Sequence, residues 1–106
     1  MSNSFSDREK SFENKFAHDA ELQFKVEARR NRLLGEWAGA LLGKDGEDLK
    51  AYAVAVVKSD FEEAGDEDVF RKVSGDLDGK VSESELRAKM EELKAVAKQQ
   101  VMTELD

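Results

Sequence analysis

The chain lacks cysteine and proline altogether and has a single histidine among its 106 residues. Without cysteine it has neither a disulfide framework nor a thiolate metal site. No apolar run approaches the ~20 residues of a membrane-spanning helix, and the polar start MSNSFSDREK lacks the basic and then apolar pattern of a signal peptide. We therefore expect a small cytoplasmic protein that is not inserted into a membrane.

The first part of the chain also lacks a net charge. Residues 1–43 hold seven basic and seven acidic residues, whereas residues 44–106 hold ten basic and seventeen acidic ones. An acidic body argues against binding to a nucleic-acid backbone, while a neutral arm of mixed charge suits docking on a protein surface. The one basic cluster is typical of a solvated helix face; it consists of Lys25, Arg29, Arg30 and Arg32.

Alternation with a period of two is absent, and apolar residues instead recur at helical spacing, which predicts an all-α fold. Four amphipathic helices are expected to form a small antiparallel bundle, residues 19–106, behind a flexible N-terminal arm, residues 1–18. The first helix should run from Asp19 to Leu42, with an inward stripe of Leu22, Val26, Leu33, Leu34, Trp37 and Leu41. The second should follow an N-cap at Asp45 and end near Phe61, before a turn over residues 62–65.

The remaining helix boundaries have clear signals. Asp66 is expected to cap a short third helix. Ser82 and Glu85 form a capping box for the last helix, and Val81 and Leu86 occupy the positions of a hydrophobic staple. Gly43 stands where a helix-ending glycine belongs, and the spacing of Gly35, Gly39 and Gly43 predicts a close neighbouring helix.

The arm carries a pattern of its own. Phe5, Phe12 and Phe16 are seven and four residues apart, so on a helix they share one narrow stripe. Their surroundings are too polar to hold such a helix in place. The segment is either a helix packed on its own body or a recognition arm that folds in the groove of another protein. Because the other stripes account for the body, we expect no internal role for these rings and favour the second interpretation.

One segment of the body resembles a calcium site. Residues 74–85 read SGDLDGKVSESE, with Asp76, Asp78, Gly79 and Glu85 at positions three, five, six and twelve of a twelve-residue loop. The first ligand position, however, holds the neutral Ser74 in place of a carboxylate. A turn followed by a capped helix explains the same residues without metal, so we expect no metal ligands here and keep an EF-hand-like protein as an alternative.

Catalysis has little support. His18 is the only histidine and lies in the polar arm, and no nucleophile with an orienting acid stands near it in sequence. Gly35, Gly39 and Gly43 lie in or end a helix, so we expect no glycine-rich loop of the kind that cradles a phosphate. We therefore do not expect an enzyme.

At the level of longer motifs the chain resembles a known family. The resemblance is carried by Phe5, REK at 8–10, FENKFAHD at 12–19, ARRNRLLGEWA at 28–38, SDFEE at 59–63 and GDEDV at 65–69. These motifs are similar to those of the ζ subunit of α-proteobacterial rotary ATP synthases, and the similarity covers nearly the whole chain.

The resemblance implies a four-helix bundle whose N-terminal arm inhibits ATP hydrolysis. The arm would become helical at a catalytic interface between α and β subunits, near the central stalk of the soluble catalytic head. Carried over by position, the apolar anchors would be Phe5, Phe12 and Phe16, and the polar contacts Arg8, Glu9, Glu13 and Lys15. We expect a monomer when free, associated with the membrane-bound synthase through its head. A bundle that senses adenine nucleotide remains a further alternative, without assigned residues.

Overall fold

The computed structural model describes residues 4–60 and 65–105, with side chains from residue 7 onward. Within these ranges the chain is all-α, which confirms the predicted fold class. Its helices are α1 (Ser4–His18), α2 (Ala20–Leu41), α3 (Gly46–Ser59), α4 (Glu67–Leu77) and α5 (Glu83–Glu104). In this described part of the chain, no helix combines the length and the apolar character that crossing a bilayer requires.

The boundaries of α2 follow its sequence signals. The Asp19 carboxylate accepts the backbone N–H of Leu22 at 3.1 Å, which caps the helix start. At the other end Gly43 has a φ of +80°, and the N–H of Lys44 donates to the carbonyl of Gly39 at 2.9 Å. This is the bond that closes a Schellman motif, in which glycine relieves the strain of a left-handed residue. The predicted helix from 19 to 42 is thereby confirmed.

The capping box of α5 is present as predicted. The Ser82 hydroxyl accepts the N–H of Glu85 at 3.1 Å, and the Glu85 carboxylate accepts the N–H of Ser82 at 3.4 Å. Val81, partly buried, packs against the same core as Leu86, as a hydrophobic staple requires.

Helix α3 has close to its predicted bounds but lacks the predicted capping bond. Asp45 occupies the N-cap position, but its side chain makes no capping hydrogen bond. The helix ends at Ser59, whereas Phe61 and the first three residues of the predicted turn lie outside the described residues. Gly65, the last residue of that turn, has a φ of +90°.

The main core lies where α2, α3, α4 and α5 meet. Its buried members are Leu34, Ala38, Tyr52, Val56, Val69, Phe70, Val73, Leu77, Leu86 and Met90. The prediction that Leu41 faces inward is wrong, since its side chain is 42% exposed. Leu42, four residues beyond Ala38, packs against the core in its place, because a spacing of four keeps a side chain on the same helix face.

A buried arginine connects the middle of α2 to the start of α4. Arg30 is 2% exposed, and it donates hydrogen bonds to Asp66 at 2.8 Å and to the Asn31 side chain at 2.7 Å. The Asp66 side chain therefore makes no capping bond to α4, which corrects the predicted cap. The expectation of a solvated face is likewise wrong for Arg30, because burial of a cation is tolerated when a carboxylate pairs with it.

Two carboxyl groups beside Arg30 should affect stability in opposite directions. The hydrogen bond from Arg30 lowers the pKa of Asp66, so this group stabilises the fold above its unfolded pKa and loses that effect as the pH falls through its folded value. Burial raises the pKa of Asp60, so ionised Asp60 destabilises the fold, and this cost disappears as the pH falls through the raised pKa.

We therefore expect Asp66→Asn to lower the melting temperature at pH 7 and Asp60→Asn to raise it. Both differences from the wild type should shrink as the pH is lowered, because the wild-type carboxyls then become neutral as well. Thermal melts from pH 7 to pH 3 measure this. The same sign of change for both variants at pH 7 would contradict the assignment.

The N-terminal helix as a candidate partner-binding site

Helix α1 places two of the predicted anchors side by side. Phe12 and Phe16 are four residues apart on one face, with ring centroids 6.2 Å apart and planes inclined by 22°. Phe5 falls within α1, but its side chain lies outside the described residues. The spacing argument that Phe12 and Phe16 share a stripe is thus confirmed, while the place of the Phe5 ring on that stripe stays a prediction.

The two rings face the body of the same chain. Phe12 is 6% exposed and belongs to a second apolar cluster, which also contains Leu22, Val26, Ala97, Val101 and Met102, with Phe16 and Leu33 packed against it. We call the five body residues of this cluster the receptor face. The expectation that the rings have no internal role is therefore wrong, because the start of α2 and the end of α5 together offer them an apolar surface.

Polar contacts fasten the second half of α1 to that surface. The Lys98 ammonium lies 4.4 Å from the centroid of the Phe16 ring and 3.5 Å from a carboxylate oxygen of Glu13. The side-chain amide of Gln23 donates to the backbone carbonyl of Phe16 at 2.7 Å. This carbonyl belongs to the last turn of α1, where no further helical N–H is available to it. The three contacts hold the C-terminal end of α1 against α2 and α5, next to Asp19.

Four charged residues of α1 lie at the solvent-exposed rim of its contact with the body. Arg8, Glu9, Glu13 and Lys15 are all exposed, as expected for residues that would orient α1 on a partner. Beside them runs an open groove of about 520 Å³ between α1 and the end of α5, lined by Arg8, Ser11, Phe12, Asn14, Lys15, Met102 and Leu105. Leu105 is 49% exposed at its rim. The role of these residues in partner binding stays a prediction.

Sequence reasoning missed the body side of this contact. Neither Lys98 nor Met102 was predicted to take part, although the apolar stripe of α5 widens at its end to the adjacent pair Val101 and Met102. Adjacent positions on a helix are about 100° apart, so apolar residues at both positions indicate a wider buried face at the end of α5. That widening was the signal of a second packing surface.

Two carboxylates of the calcium-like segment, those of Asp76 and Glu85, are engaged in other contacts. Asp76 accepts hydrogen bonds from the Tyr52 hydroxyl at 2.9 Å and from Lys72 at 3.0 Å, and burial together with the bond to Asp76 raises the pKa of Tyr52. Glu85 serves the capping box of α5. Asp78 ends α4 in the left-handed conformation. Among the residues that the structure describes, no group of three or more His, Cys, Asp or Glu side chains could hold a metal ion.

Comparison with known proteins shows which family the chain resembles. The family model for the ATPase inhibitor subunit zeta matches residues 1–100. A protein whose structure was solved by NMR in solution is 64% identical, with a TM-score of 0.73, over 78% of this chain and 98% of that one. No curated protein matches the chain.

Proposed function

The chain belongs to the ATPase inhibitor subunit zeta family, and we propose that it inhibits ATP hydrolysis by the rotary ATP synthase through helix α1. The observation that carries this proposal is the pair of adjacent rings, Phe12 and Phe16, on a helix whose other faces are charged. An amphipathic helix of this kind is suited to insertion into an apolar groove of a partner. Aromatic side chains, Phe included, are also enriched at the centres of protein interfaces.

In this proposal the partner is the catalytic head of the synthase, and α1 enters an interface between α and β subunits near the central stalk. A helix wedged there blocks the rotation that hydrolysis drives, while rotation in the direction of synthesis expels it. Phe5, Phe12 and Phe16 are the apolar anchors. Arg8, Glu9, Glu13 and Lys15 fix the orientation by charge-assisted contacts, which are about twice as strong as neutral hydrogen bonds.

The two parts of the chain then have different tasks. Residues 19–106, with α2 to α5 as a four-helix bundle, carry residues 1–18 as the inhibitory arm. Away from the body the arm frays, because an isolated helix of its length is marginal in water, and it becomes helical again at the catalytic interface. The protein acts as a regulator on the cytoplasmic side of the membrane, where the soluble head of the synthase lies.

A peptide of residues 1–20 tests the proposal directly. Added to the cognate catalytic head, it should slow ATP hydrolysis in a concentration-dependent manner, because it carries all the proposed contacts. A peptide of the same composition in scrambled order is the control, since it keeps the charge and loses the stripe. Equal effects of the two peptides, or no effect of either, would contradict the proposal.

A further inference from the structure

The rings proposed to anchor α1 in the synthase are already buried in the free chain. Phe12 is 6% exposed and packs on the receptor face, and Phe16 lies between that face and the Lys98 ammonium. One ring cannot be buried in two places at once. Any partner that buries Phe12 must first separate α1 from the body.

The architecture allows this separation without unfolding the body. From residue 7 onward, no side chain of α1 belongs to the main core, and the receptor face forms a separate cluster with the rings of Phe12 and Phe16. Asp19 lies between the two helices and caps α2 by its bond to Leu22, an interaction that does not involve α1. Helix α1 can therefore leave while α2 keeps its start and the main core stays packed.

We propose that the docking of α1 on the receptor face is an autoinhibitory contact, in which the body competes with the synthase for Phe12 and Phe16. This inference rests on the function proposed above and adds a way in which the inhibitory activity is regulated. The apparent affinity of a site that must first become available equals its intrinsic affinity multiplied by the available fraction. Contacts that hold α1 on the body consequently weaken inhibition, although they contribute nothing to the interface with the synthase.

A substitution at Lys98 can weaken the docking of α1 without changing any residue that is proposed to contact the synthase. It belongs to the body, and it holds α1 by a cation–π contact with Phe16 and an ion pair with Glu13. In Lys98→Glu both attractions are lost and a like-charge pair with Glu13 replaces one of them. The variant leaves every residue of α1 unchanged, so it changes only the equilibrium between docked and released α1.

The full-length chain with Lys98→Glu should be a stronger inhibitor than the wild type. From the usual size of an exposed cation–π contact and a surface ion pair, the half-inhibiting concentration should fall about fivefold. Amide hydrogen exchange should become faster in α1 and stay unchanged in the main core. Lys80→Glu, a matched charge reversal in the exposed turn before α5, should leave both measurements at wild-type values.

A second variant controls for the case in which Lys98 itself contacts the synthase. Met102→Ala removes part of the receptor face beneath Phe12 and should also accelerate exchange in α1 and strengthen inhibition. Unchanged exchange in α1 in both variants would overturn the autoinhibitory contact. So would faster exchange without stronger inhibition, provided that the wild type inhibits. If neither the wild type nor the variants inhibit, the function proposed above fails instead.

Discussion

Replacing Phe12 and Phe16 by alanine in the peptide of residues 1–20 is expected to abolish inhibition of ATP hydrolysis over any practical concentration range. A buried aromatic anchor at a protein interface typically contributes about 2 kcal/mol or more, so the loss of two weakens binding roughly thousandfold. The measurement is the half-inhibiting concentration of the peptide against the cognate catalytic head.

The peptide is preferable to the full chain for this substitution. In the full chain Phe12 also packs on the receptor face, so its loss would release α1 and weaken the anchor at the same time, with opposite effects on inhibition. Asn14→Ala is the matched control, because Asn14 lies between Phe12 and Phe16 in the sequence and its side chain is exposed. Inhibition by the double variant as strong as that by the Asn14→Ala peptide would show that the rings are not the anchors.

Gly35→Ala is expected to destabilise the body strongly, although alanine is the better helix former. A Cβ atom at Gly35 would lie 2.6 Å from the Cα atom of Ala53 and 3.3 Å from the Cβ atom of Val56. The near neighbour is backbone, so α2 and α3 must move apart, and overpacking of this kind costs about 1–3 kcal/mol or more. This cost exceeds the gain of about 1 kcal/mol in helix propensity.

The melting temperature should therefore fall by several degrees in Gly35→Ala. Gly75→Ala is the control, because Gly75 lies in α4 and a Cβ atom there would come within 4 Å of no described atom outside the adjoining backbone of its own helix. Alanine at this position should raise the melting temperature by its helix propensity alone. Equal increases in both variants would mean that α2 and α3 do not approach each other at Gly35.

Local features of the fold could be predicted from the sequence because their signals are local. The helix start at Asp19, the capping box of Ser82 and Glu85 and the helix end at Gly43 each depend on residues within a few positions, and each is present. The close approach at Gly35 was also predictable, since two glycines spaced by four leave one helix face without side chains.

Long-range pairing could not be predicted in the same way. Helical periodicity places Phe12 and Phe16 on one face but does not say which surface receives them, and Met102 lies near the opposite end of the chain. Asp66 is a similar case: its position favours a helix cap, but the buried Arg30 side chain competes for the same carboxylate, and a charge-assisted bond is the stronger one. In both cases a tertiary contact decided between two locally acceptable structures.

The most direct test of the proposed function compares the whole chain with residues 19–106 alone. Removing residues 1–18 leaves the main core intact, so the shortened chain should retain its helical circular dichroism. ATP hydrolysis by the catalytic head should then be slowed by the whole chain and unaffected by residues 19–106 at the same concentration. Equal inhibition by the two proteins would contradict the assignment of the inhibitory activity to the N-terminal helix.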